Sequence, residues 1–148
     1  MIREQNTKAE YSRHFQQDDA QYWVSTINDL QTKAGARTAE SGMYQRLLAY
    51  LSLAFYSYSN QLINQNENAG ASHFVELYKM ADPTNPEAWY FSAILHARDN
   101  HAQDAESDLL RAAGFGFKDE NRMMQQPEFQ NLSPHIDFSR IEAGIHTK

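Results

Sequence analysis

The chain contains no cysteine. Disulfides and thiol chemistry are therefore excluded, while the compartment stays open. It also lacks any dense cluster of lysine and arginine, and its formal net charge is -6. Nucleic acid and anionic membrane surfaces are thereby set aside as main partners, because both attract a basic face. The N-terminus, Met1-Ile2-Arg3-Glu4-Gln5-Asn6, has no apolar h-region. No signal peptide is read there. The protein is expected to be soluble, cytoplasmic as written, or periplasmic if a leader has been removed.

Catalytic signatures are missing as well. There is no Gly-rich phosphate loop, no His-Glu-x-x-His and no nucleophile elbow. His96 and His101, with Asp99 between them, are poorly spaced for one helical face. Zinc sites need roughly three or four convergent ligands. His14, His73, His135 and His146 are scattered. Asp18-Asp19 and Asp104-Ala105-Glu106 pair carboxylates, but such pairs read as caps or a solvated face. Asn131-Leu132-Ser133 fits a glycosylation acceptor, a triplet common by chance. The sequence assigns no catalytic residue, no metal ligand and no cofactor.

What is present is helical periodicity. Hydrophobic residues make up 41% of the chain, enough to oppose disorder. Met43, Leu47, Tyr50, Leu51, Ala54, Tyr58 and Leu62 keep helical spacing, with no Pro or Gly after Gly42. Residues 39–64 therefore read as one helix. The uncharged run from Leu47 to Asn66 is long enough to suggest a membrane span. Ser52, Ser57, Ser59, Asn60, Gln61 and Asn64 make insertion too costly. A central helix packed on most sides is the reading.

Before it, Thr7 with Glu10 reads as a capping box for a short helix carrying Tyr11 and Phe15. Asp18 with Gln21 caps a second helix, whose stripe is Trp23, Ile27 and Leu30 and whose stop is Gly35. After it, Gln65 to Gly70 reads as a polar connector. A helix with Phe74, Leu77, Tyr78 and Ala81 then ends before Asp82-Pro83.

The stretch from Asp82 to Gly114 is the most organised. Asn85 caps a helix and Pro86 fills its first position, where a missing N–H costs nothing. Trp89, Ala93 and His96 share one face; Ala102, Ala105, Leu109 and Ala112 share another after the break at Asp99-Asn100-His101. The small residues allow close approach of two antiparallel helices. Gly114 is placed as a left-handed C-cap.

These residues resemble the tetratricopeptide repeat, a helix-turn-helix unit of about 34 residues. One period earlier, Trp89 lands on Phe55, Tyr90 on Tyr56, Ala93 on Ser59, Asn100 on Asn66, Ala105 on Ala71 and Leu109 on Val75. The chain departs from the family pattern at Ser92, where leucine is usual, and at His96, where an aromatic is usual. Asn100 stands for the turn glycine, which Asn tolerates. A further step back meets Tyr22 and Ser25, but also Arg37 and Gln21 where small and aromatic residues belong. Two units are read. The run Gly114-Phe115-Gly116-Phe117-Lys118-Asp119, then Pro127-Glu128-Phe129 and Leu132, resembles the segment that closes bacterial members of the family. Asp119 caps a short helix with Met123 and Met124 there. Phe117, Met123, Phe129 and Leu132 are expected to cover the open end of the last repeat. Ser133-Pro134 starts a last turn, and Phe138, Ile141 and Ile145 pack a final helix.

The resulting expectation is one all-α domain of antiparallel hairpins stacked as a short solenoid. Residues 1–38 form N-terminal helices, 39–114 two repeat units and 115–148 a C-terminal helical cap. The resemblance implies a concave groove lined by Tyr56, Asn60 and Ile63 from one helix and Tyr90, Ile94 and Arg98 from the next. Family members that hold chaperone carboxylate tails use a lysine and asparagine set on that groove. Tyr90, Phe91 and Ile94 stand at those positions here, so that use is not expected. Three readings follow. The first is a non-enzymatic scaffold for an unknown protein or peptide. The second is a self-associating subunit, a homo-oligomer, suggested by the aromatic helix from Tyr50 to Tyr58. The third is an enzyme or small-ligand protein with a polar pocket near His96, Arg98 and Asp99.

Overall fold

The computed structural model describes residues 2–16 and 19–147. Among these residues the fold is all-helical, without a strand. The cap at Asp18 lies outside the described residues. No helix among them is long and apolar enough to cross a membrane.

Helices α1 (Ile2–Phe15) and α2 (Ala20–Ala34) precede the long α3 (Ser41–Asn64). Thr7 is not a cap: it lies inside α1, where its hydroxyl donates to the Arg3 carbonyl at 2.9 Å. The helix begins earlier than the capping pattern suggests, and its buried residues Glu4, Tyr11 and Phe15 hold it down. The Glu4 carboxylate accepts from Arg46 of α3 at 2.8 Å. Asp19 sits at the cap position of α2 without a side-chain cap bond; its carboxylate meets His14 Nδ1 at 2.9 Å instead.

Trp23, Ile27 and Leu30 are buried as their spacing predicts. Trp23 is stacked on Phe15 at 5.0 Å and meets Phe55 edge-on at 5.4 Å. Phe55 is fully enclosed, so α1, α2 and α3 share one aromatic cluster. Burying each such side chain stabilises the fold by about 1.5–3 kcal/mol. The self-association reading used the aromatics of α3, but these have partners within the chain. Tyr58 stacks on Phe74 at 4.9 Å and Tyr50 lies under the Lys8 ammonium.

Helix α4 (Asn68–Ala81) follows a connector of only three residues, Gln65 to Glu67. Asn68 to Gly70 belong to α4, not to the connector. Pairing Tyr58 with Phe74 and Ser52 with Asp82 shows that α4 runs antiparallel to α3. The same holds for α5 (Pro86–Arg98) and α6 (Ala102–Gly114), joined through Ser92 and Asp108 near mid-helix and through the tight turn at their ends. Asn85 caps α5 as read, accepting the Glu87 N–H at 3.0 Å, with Pro86 next to it. Ser59, Ala71, Ala93, Ala105 and Ala112 are all fully buried at these close approaches.

Two turns share one backbone solution. Asn66 has φ 58° and Asn100 has φ 60°. After Asn66, the Glu67 N–H returns to the Leu62 carbonyl at 2.9 Å; after Asn100, the His101 N–H returns to the His96 carbonyl at 2.9 Å. Both bonds fold the last helical turn back over its own open carbonyls. The end of α6 corrects the placement of the glycine cap. Gly114 is still helical, and Gly116, with φ 110°, takes the left-handed position while Phe117 N–H closes onto Ala112.

Helices α7 (Glu120–Gln125) and α8 (Pro127–Asn131), a 3₁₀ turn (Ser133–His135) and α9 (Phe138–His146) complete the chain. Asp119 caps α7 by accepting the Arg122 N–H at 3.1 Å. Phe117, Met123, Phe129 and Leu132 are all buried. Ile141 and Ile145 bury the inner face of α9 against α6. Trp89, in contrast to Trp23, is half-buried between two cations: Lys79 Nζ lies 4.8 Å and Arg111 Cζ 4.9 Å from its ring.

Candidate functional site

Helix α3 carries its apolar stripe on the face toward α2 and α4. Leu53 breaks that pattern. It stands two residues from both Leu51 and Phe55, on the opposite face, and is 66% exposed. Beside it, Ala49 and Tyr56 continue the same face. Opposite them the chain leaves α4 and enters α5, bringing Tyr78, Asp82 and Glu87 into register. Together these side chains enclose an open cleft of about 490 Å³.

Its polar wall is fixed by local structure. Asp82 Oδ2 accepts from Ser52 Oγ at 2.8 Å and from Asn85 Nδ2 at 3.0 Å. The same carboxylate thus ties α3 to the cap of α5. Glu87, in the first turn of α5, accepts from Arg122 Nη1 of α7, at 3.0 Å to Oε2. The Tyr78 phenol is pushed well up from its ordinary pKa, by burial first and then by the carboxylates of Glu87 and Asp82.

The six residues expected to line a groove meet different fates. Tyr56 lines the cleft, stacking on Phe91 at 5.5 Å. Asn60 is half-exposed one turn further along α3, outside the cleft lining. Ile63, Tyr90 and Ile94 are buried, so their expected groove surface is not accessible. For Tyr90 the cause is α7 and α8, which lie over the α5 face. The Tyr90 ring stacks on Phe117 at 4.8 Å and meets Phe129 edge-on at 5.6 Å; its hydroxyl reaches Gln126 Oε1 at 3.0 Å. Tyr56 and Tyr90 lie 34 residues apart in the sequence, and α7 and α8 cover Tyr90. Arg98 is likewise engaged, with Glu128 at 2.9 Å, Asn68 at 2.7 Å and the Ile63 carbonyl at 3.0 Å.

The pocket read near His96, Arg98 and Asp99 exists without Arg98. His96 and Asp99 join Ser92, Glu76 and His101 around a smaller cavity of about 250 Å³. Behind it, Asp108 Oδ2 accepts from Ser92 Oγ at 2.7 Å and lies 2.8 Å from His96 Nδ1. Serine and histidine thus share one carboxylate oxygen, and no histidine nitrogen bonds the Ser92 hydroxyl among the described residues. Lys79 Nζ lies 3.3 Å from that hydroxyl but is held by Glu76 at 2.6 Å. The arrangement satisfies a buried carboxylate. It does not present an activated nucleophile. Among the described residues no group of three His, Asp or Glu is placed to hold a metal ion. The His96 and His101 rings are 6.5 Å apart, centroid to centroid.

The residues missed in sequence were Leu53, Asp82 and Glu87. One signal was present: an apolar side chain on the polar face of an otherwise regular amphipathic helix. Compared with known proteins, the chain matches no family model, no curated protein and no solved structure.

Proposed function

We propose that this chain is a non-enzymatic interaction scaffold of the tetratricopeptide kind, which binds a peptide or protein segment in the Leu53 cleft. Stacked repeat pairs are supported by the two left-handed asparagines one period apart and by their identical return hydrogen bonds. The period-related residues Ser59 and Ala93, Ala71 and Ala105, and Val75 and Leu109 are also matched in burial. The buried Phe117, Met123, Phe129 and Leu132 support the C-terminal segment as a cap.

The observation that carries the binding reading is Leu53. A large apolar side chain left 66% exposed inside a cleft lowers its free energy by being covered. Tyrosine beside it offers contact area at low entropic cost. The test is to pan a displayed random-peptide library on the full chain, with Leu53→Asp as the counter-selection. Peptides enriched on the wild type and lost on Leu53→Asp are expected. Equal recovery on both proteins removes the reading.

A further inference from the structure

The Leu53 cleft has chemistry that narrows its occupant, given the binding reading above. One wall is apolar, made by Leu53, Ala49 and Tyr56. The facing wall carries the carboxylates of Asp82 and Glu87, and no basic side chain is part of the lining. Asp82 is held by two neutral donors, Ser52 and Asn85. Among the described residues no lysine, arginine or histidine pairs with it. Glu87 accepts on both carboxylate oxygens from Arg122 Nη1 and keeps 29% of its side chain exposed.

We infer that the cleft selects a short segment presenting an apolar side chain to Leu53 and a lysine or arginine to Asp82 and Glu87. An ammonium or guanidinium entering here meets two carboxylates opposed by one cation. Both Asp82 oxygens need not be free: Oδ2 already has two donors, and Oδ1 is left for a third. At longer range the net charge of -6 draws a basic segment toward this face and repels an acidic one. A second copy of the chain carries that same charge and meets like with like.

The experiment takes the peptides recovered in the Leu53-dependent selection and titrates fluorescein-labelled copies against the full chain by fluorescence polarisation. The recovered set is expected to hold Lys or Arg within a few residues of Leu, Ile, Met or Phe. Replacing that basic residue by Gln is expected to weaken binding about fivefold, and raising the salt to weaken it further. Asp82→Asn and Glu87→Gln give the matching loss on the protein side, with thermal melts to show that each variant folds. The Gln-substituted peptide needs no protein variant, so a misfolded variant does not shelter the inference. Leu53-dependent peptides that lack a basic residue, or that tolerate its loss, overturn the inference and leave the binding reading standing. An absence of Leu53-dependent peptides overturns both. Sedimentation that finds a dimer dissolved by Leu53→Asp assigns the cleft to a second copy and also overturns it.

Discussion

Arg98 Nε lies 2.9 Å from Glu128 Oε2, joining the end of α5 to the short helix α8 across 30 residues. The same guanidinium reaches the Asn68 side chain and the Ile63 carbonyl. One side chain therefore ties α3, α4, α5 and α8 together, with only 15% of it exposed. Arg98→Ala is expected to destabilise the protein by about 2–4 kcal/mol, measured by urea denaturation. Arg98→Lys should restore little, because a point charge does not reproduce the planar fork.

Glu128 gives that tie a pH dependence. Burial raises its pKa, but hydrogen bonds from Gln126 and Arg98 and the Arg98 charge outweigh burial, leaving it below the ordinary 4.5. A depressed carboxyl contributes stability that is complete above its unfolded value and disappears as pH falls through its folded value. The stability gap between wild type and Glu128→Gln is therefore expected to be constant near neutrality and to close below about pH 4.5. Urea midpoints collected down the pH scale check this, and a gap that widens in acid contradicts it.

Tyr90 has its ring buried by Phe117 and Phe129 and its hydroxyl held by Gln126. Tyr90→Phe keeps the ring and removes the bond, at an expected cost of about 1 kcal/mol. Tyr90→Ala empties the space under α7 and α8 and is expected to cost about 3–5 kcal/mol. Proteolysis within residues 119–132 should accelerate in Tyr90→Ala far more than in Tyr90→Phe.

Asn66 and Asn100 hold left-handed backbone that alanine resists. Asn100→Ala is expected to lower stability by about 1 kcal/mol, whereas Asn100→Gly should be neutral or better. The same pair of changes at Asn66 should give the same signs. Thermal melts of the four variants decide whether the two turns are energetically alike.

Among the described residues, Ser59 Oγ is buried without a hydrogen-bond partner. A desolvated hydroxyl with no bond costs free energy, and Ala93, 34 residues on, is equally buried without one. Ser59→Ala is expected to leave stability unchanged or to raise it by about 1 kcal/mol, read from the urea midpoint.

Much of the helical outline was legible because periodicity and caps are local. Leu47 and Leu51 announce the buried side of α3, but the stripe read onward through Ala54, Tyr58 and Leu62 is only half-buried, and the buried line runs instead through Phe55, Ser59 and Ile63. Asn85-Pro86 announces the start of α5. Thr7 misled because its sequence neighbours satisfy a capping pattern that Glu4 and Arg46 override through a tertiary ion pair. Gly114 misled by two residues, since only the return bond from Phe117 distinguishes it from Gly116. The binding face was the harder part. Tyr90 and Ile94 repeat the spacing of Tyr56 and Asn60, and nothing local says that α7 and α8 come back over one and not the other. Asp82 and Glu87 read as a helix end and a first-turn acid, and they become one wall only when α3 is brought alongside.

The two tryptophans inhabit opposite optical surroundings. Trp23 is sealed among rings from α1, α2 and α3, while Trp89 lies between the Lys79 ammonium and the Arg111 guanidinium. The chain thus carries two tryptophan fluorophores, one reading the N-terminal aromatic cluster and the other reading α4 to α6. Replacing Trp89 by Phe isolates the first signal, so loosening of the N-terminal helices becomes visible on its own, without any added label.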